Sequence, residues 1–184
     1  MTDYILSLTF DLRQITQALQ YEFCTHKGEV CKMLEAGPLA GSFNFQTGDT
    51  IQLQVTAIGA MNEDENNPPS NILENISVND CTLLSLAARM DEPLSMFDVG
   101  NAAICQASDK WTKAEEFTQP GDSQKNIKRY RQQIENPLKV VTEKGQWQLS
   151  GYLSIQLYTL EGPPLSRLYF FDPESSTGAG GGWQ

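Results

Sequence analysis

The stretch GQWQLSGYLSIQLYTL, residues 145–160, alternates apolar and polar side chains for most of its length. A period of two is the signature of a β-strand with one buried face. Trp147, Leu149, Leu153, Ile155 and Leu157 fall on one side with Gly151 in the same register, and Gln148, Ser150, Tyr152, Ser154, Gln156 and Tyr158 fall on the other. The five apolar residues are expected to be core and to face a second sheet. The polar side carries no charge from Gln146 to Leu160. A freely solvated strand more often includes Lys or Glu, so this face is a candidate for contact with the chain's own tail, a neighbouring copy or a ligand, with Tyr152, Gln156 and Tyr158 as its contact residues.

The rest of the chain reads as more strands. Ile5 to Phe10 is an opening strand, and Asp11 can cap a short helix in which Leu12, Ile15 and Leu19 recur at helical spacing. Phe43 and Phe45 alternate, Thr47-Gly48-Asp49 turns the chain, and Ile51, Leu53 and Val55 alternate again, a pattern that predicts a hairpin. Residues 71–78 and 81–88 are apolar enough for strands, the second also fitting a helical turn. Between Pro120 and Pro137, Ile127, Tyr130 and Ile134 recur at i, i+3 and i+7 and predict a short surface helix. Val140 and Val141 start a further strand, and Arg167 to Phe171 is another. Short strands separated by Gly, Pro and Asn turns imply a mainly β protein, an antiparallel β-sandwich with one or two short helices. At 184 residues the expectation is a single sandwich domain over 1–173, followed by a Gly-rich tail over 174–184.

Thirteen Lys and Arg against 23 Asp and Glu leave a net charge of −10, which disfavours nucleic acid and anionic lipid as partners. No secretory signal and no membrane-spanning apolar run is visible, so a cytoplasmic location is expected. The four cysteines, Cys24, Cys31, Cys81 and Cys105, are irregularly spaced and read as reduced thiols. The sequon Asn75-Ile76-Ser77 is then unused.

Few residues suggest chemistry. CTHKGEVC holds Cys24, His26 and Cys31, yet this is the single histidine of the chain and no CxxC accompanies it, so no metal site and no catalytic dyad is expected. Residues 62–67, NEDENN, offer oxygen ligands of the kind calcium prefers without EF-hand spacing, and read as a solvated loop. Lys125, Lys128, Arg129 and Arg131 cluster around Tyr130 and read as a solvated helix face or a complement to an acidic neighbour. Gly178 and Gly180–Gly182 lack the following helix that a phosphate loop requires. They form a flexible tail or a linker presenting Trp183 as an anchor. No cofactor is implied.

One segment is familiar. WQLSGYLSIQLYTLEGPPLSRLYFFDPESS, Trp147 to Ser176, resembles the closing strands of the AidA/PixA-type inclusion-body proteins, in which a long strand turns into an aromatic strand ending in Asp-Pro, here Asp172-Pro173. Asp3 to Phe10 and GDTIQLQV, Gly48 to Val55, are similar in kind to that family's first strand and its Gly-Asp-led strand. The matches cover about a quarter of the chain, while residues 61–146 show no alignable feature and the tail runs past the family's usual end. The resemblance implies a bacterial cytoplasmic β-sandwich that accumulates in ordered inclusions, with no enzymatic site to carry over. The function expected is therefore non-enzymatic self-assembly or protein binding, as a homo-oligomer or higher assembly, with contact residues Tyr152, Gln156, Tyr158 and Trp183. The alternative is a carbohydrate or small-ligand binding sandwich, calcium-dependent through residues 62–67.

Overall fold

In the computed structural model the alternating stretch is one 15-residue strand, Gly145–Thr159. The structure describes residues 1–32, 43–60, 72–87, 91–93, 95–98, 104–106, 110–118, 127–143, 145–171 and 174–177. Among them are twelve strands in two sheets. The first runs β2 (Gln20–Thr25), β1 (Asp3–Asp11), β4 (Thr50–Ala60), β8 (Ile127–Gln133) and β7 (Glu115–Phe117), with β9 (Leu138–Lys139) also on β4. The second runs β3 (Phe43–Phe45), β12 (Glu174–Thr177), β10 (Gly145–Thr159), β5 (Leu73–Ala87) and β6 (Ile104–Gln106), with β11 (Leu165–Phe171) also on β10. β12 lies within the segment read from sequence as tail, and it pairs with both β10 and β3.

The inner faces of the two sheets share one core. Trp147 and Leu149 are buried with Leu153, Ile155 and Leu157 of the same strand, against Leu6, Leu8, Leu53 and Val55 of the first sheet. Rings bridge the layers: Phe10 stacks on Tyr169 at 4.6 Å, and Phe23 meets Phe43 and Phe45 at 4.5 and 5.3 Å. The Trp147 indole also donates Nε1–H to the Pro93 carbonyl at 2.9 Å, so its one polar atom is satisfied in the core. The fold is thus mainly β and sandwich-like.

Four sequence expectations are corrected. No helix occurs among the described residues. Leu12 to Leu19 is an irregular segment held by Gln14, which accepts from the Asp11 amide and donates to the Thr16 and Ala18 carbonyls, leaving Ile15 fully exposed. Residues 127–133 are strand β8, in which Tyr130 and Gln132 line the buried side, with Ile134 buried just beyond its end. The polar Gln132 hides this alternation, because its side chain is buried by making hydrogen bonds instead of by being apolar.

Second, the sheets are mixed, not purely antiparallel: β1 runs parallel to β4 and β12 parallel to β3. Parallel neighbours need crossover connections, and here β2 and β3 lie on the path between β1 and β4.

Third, Phe43–Val55 is not a hairpin. β3 and β4 belong to opposite sheets, and Thr47-Gly48-Asp49 is the corner between them. Gly48 has φ +90°, the left-handed region that favours glycine. Asp49 is buried, its two carboxylate oxygens accepting the amides of Thr2 and Gln46, both at 2.7 Å. A carboxylate that read as turn chemistry is therefore an internal clamp tying the first residues to the corner.

β5 is one strand where the sequence suggested two. Its pairing with β10 slips by one residue at Asn79, between Val78 opposite Ile155 and Asp80 opposite Ser154. Such a bulge removes a backbone group from the ladder. The Val78 amide donates instead across the sandwich to Oε1 of Gln132 at 2.7 Å, while Nε2 of Gln132 donates to the Thr112 carbonyl at 2.8 Å.

Candidate functional site

The outer face of the second sheet is built by the polar side of β10 and its neighbours. Tyr152 is 55% exposed. Gln156 and Tyr158 are half-buried and satisfy one another, the Tyr158 hydroxyl donating to Oε1 of Gln156 at 3.0 Å. Trp183 and the acidic stretch 62–67 lie outside the described residues.

What completes the face is β11. Tyr152 lies opposite Phe170, Ser154 opposite Leu168 and Gln156 opposite Ser166. The backbone of Phe170 points away from β10, since its amide donates to the Gln17 carbonyl and its carbonyl accepts from the Leu19 amide, both at 2.9 Å. Tyr152 and Phe170 are therefore a non-hydrogen-bonded pair, the kind in which cross-strand side chains stand closest. Leu168 is 54% exposed and Phe170 47%. Tyr152, Leu168 and Phe170 form one apolar surface on a strand pair whose outward side chains are uncharged. The nearest carboxylate on β5 is that of Asp80, across from Ser154 and receiving the Thr82 hydroxyl at 3.2 Å.

Leu168 and Phe170 were not singled out from sequence. The available signal was that Leu168-Tyr169-Phe170-Phe171 is apolar at both parities, so that a strand with only one core face must expose some of it. Tyr169 and Phe171 take the buried side.

The remaining candidates are placed elsewhere. His26 is exposed in the turn after β2. Cys24 lies half-buried and donates its thiol to Oε2 of Glu22 at 3.3 Å; burial and then that carboxylate push the thiol up to about 11. Burial raises Cys31 likewise, with Glu22 adding to the shift. A thiol held in its protonated form is a poor nucleophile and a poor metal ligand at neutral pH. Thiolate at pH 8 is therefore scarce, so alkylation of Cys24 by iodoacetamide at pH 8 is expected to be about tenfold or more slower than that of an unhindered thiol, the greater nucleophilicity of a high-pKa thiolate offsetting part of the loss, and to rise with pH up to about 11. A rate matching a free thiol at pH 8 contradicts this. Cys81 is in the core. Among the described residues no cluster of three or more His, Cys, Asp or Glu is disposed to hold a metal.

The basic cluster sits on a strand, not on a helix. Lys128 reaches Glu74 at 3.5 Å, and the Arg131 guanidinium lies 4.9 Å from the Phe117 ring centre. Tyr130 donates to Glu116 at 3.2 Å, and burial followed by that carboxylate pushes its hydroxyl up to about 12. Arg129 is buried. The cluster is engaged within the protein itself, and Lys125 lies outside the described residues.

No family model matches the chain, and no curated protein does. Among solved structures, the crystal structure of an inclusion body protein, PixA, from Burkholderia cenocepacia J2315 is similar over 96% of this chain and 94% of that one, at 10% sequence identity and a TM-score of 0.37.

Proposed function

We propose that this protein is a non-enzymatic bacterial cytoplasmic β-sandwich that works by self-assembly, its copies meeting through the outer face of β10 and β11. The observation that carries the reading is the exposure, side by side, of Tyr152, Leu168 and Phe170 on a strand pair without outward charge. A contiguous exposed apolar surface marks an interaction site. A chain with net charge −10 repels its own copies at long range, so contact between copies is favoured where charge is absent. Two free thiols among the described residues, Cys24 and Cys31, accord with a reducing compartment. A stable interface buries roughly 1,000 Å² or more, so the patch is its centre and flanking residues such as Gln156 and Tyr158 its rim.

Sedimentation of the full chain tests this. The wild type is expected to run as an oligomer, and Leu168→Lys or Tyr152→Lys to shift it towards monomer with at least a tenfold weaker self-association and an unchanged far-UV spectrum. A wild type that remains monomeric at high protein concentration overturns the reading. Deleting residues 178–184 measures any share of Trp183. A second reading has its own observation: exposed Tyr152 and Phe170, next to the hydroxyls and amides of Thr82, Ser154 and Gln156, make a surface on which a sugar ring stacks. A glycan array with the Tyr152→Lys variant as control separates the two.

A further inference from the structure

The outer face is only one of two ways in which β11 can meet another copy; the other is its open backbone edge. Strand addition there would give filaments or amyloid-like pairing instead of a defined contact. Resting on the self-assembly reading above, we infer that Arg167, together with Pro164 and the segment Gln17–Leu19, blocks edge-to-edge addition at β11 and so confines association to the face.

The argument is one of register. Phe170 turns its amide and carbonyl outward, and alternation along a strand then turns those of Ser166 and Leu168 outward as well. β10 is their partner on the inner side, and on the outward side no described strand pairs with these two residues. Both are exposed, so two copies can approach along this edge about a two-fold axis. Three registers bring outward groups face to face.

With Leu168 opposite Leu168, Ser166 falls opposite Phe170, whose amide and carbonyl are already taken by Gln17 and Leu19. With Ser166 opposite Ser166, Leu168 falls opposite Pro164, which has no N–H to give. The remaining register sets Ser166 against Leu168 twice and uses every free donor and acceptor. It also sets Arg167 directly opposite Arg167. Like charges at opposed cross-strand positions destabilise a pair, and here the two side chains stand at the centre of the contact. Arg167 is exposed, and Leu165 and Leu168 beside it are apolar, so without this charge the segment is the short apolar edge that invites addition.

A charge swap tests the inference apart from the self-assembly reading. Arg167→Glu keeps like charge against like charge, so alone it is expected to behave as the wild type. Mixed in equal amounts with the wild type, it places carboxylate against guanidinium in the one competent register. The mixture should form a species present in neither protein alone, with hetero-association at least tenfold tighter than either self-association by native mass spectrometry. Arg167→Val removes the charge, and is expected to give thioflavin-binding assemblies that grow with time, whereas Arg167→Lys gives none. A mixture that shows only the sum of its components, with Arg167→Val unchanged from the wild type, overturns the role of Arg167. That outcome leaves the face reading standing if Leu168→Lys still dissociates the wild type. A monomeric wild type whose charge-swapped mixture pairs supports the edge inference and overturns the face reading.

Discussion

Replacing Gly151 by alanine is expected to destabilise the fold by about 3 kcal/mol, at the upper end for overpacking a core. Gly151 lies in the apolar register of β10, opposite Phe171 on one side and Leu83 on the other. A Cβ there would stand 2.5 Å from Cζ of Phe171 and 2.7 Å from the carbonyl oxygen of Thr82. The ring can rotate aside, but the carbonyl belongs to the β5 backbone and moves only if the ladder moves with it. For a chain of this length the loss corresponds to a fall in melting temperature of roughly 6–12 °C. Tyr152→Ala, one residue further along and facing out, is the control and is expected to cost about 1 kcal/mol or less, the scale of its cross-strand pair with Phe170. Adding Phe171→Leu to Gly151→Ala removes only the ring clash, so part of the loss should remain. Complete recovery in the double variant, or a single variant as stable as the wild type, is incompatible with the close approach of β5.

Gln132→Leu is the second large effect. Leucine has nearly the same size but no amide, so the Val78 N–H and the Thr112 carbonyl lose their partners together. Each buried orphan costs about 1–3 kcal/mol, and a total loss near 3 kcal/mol is expected. Urea unfolding measures the sum, and hydrogen exchange at the Val78 amide locates it, because only this amide loses its acceptor directly. If Val78 stays as protected as before while stability falls, the loss arises from repacking and not from the bond across the sandwich.

Gln132 also shows why parts of the fold were legible and others were not. In β10 the buried residues are apolar, so burial and hydrophobicity coincide and Trp147 to Leu157 read correctly as core. In β8 the same alternation is present, but one inward position is a glutamine held by hydrogen bonds, and Ile127, Tyr130 and Ile134 then counterfeit a helical period. Asp49 misled in the same way, as a buried carboxylate with two backbone donors is spelled no differently from a solvated turn.

Strand-to-sheet assignment failed for another reason. Phe43 and Phe45 and then Ile51, Leu53 and Val55 each show one inward face, but both sheets of a sandwich bury their inward faces in the same core, so alternation alone cannot say that the chain changes sheets at Gly48. The site was half legible. An uncharged outward face on β10 pointed to Tyr152, whereas Leu168 and Phe170 emerged only when β11 was paired, since which parity of an all-apolar strand faces out is decided by its neighbour.

The central position of β10 has a consequence during synthesis. β5, fifteen residues long and apolar on its inward side, finds its main partner only in β10, which the ribosome delivers later. About 60 residues separate the end of β5 from the start of β10, and at roughly 5–20 residues per second the nascent chain carries β5 without that partner for several seconds. During this interval its apolar side is the kind of surface that is prone to premature association. The last quarter of the chain therefore sets the time at which the second sheet can close.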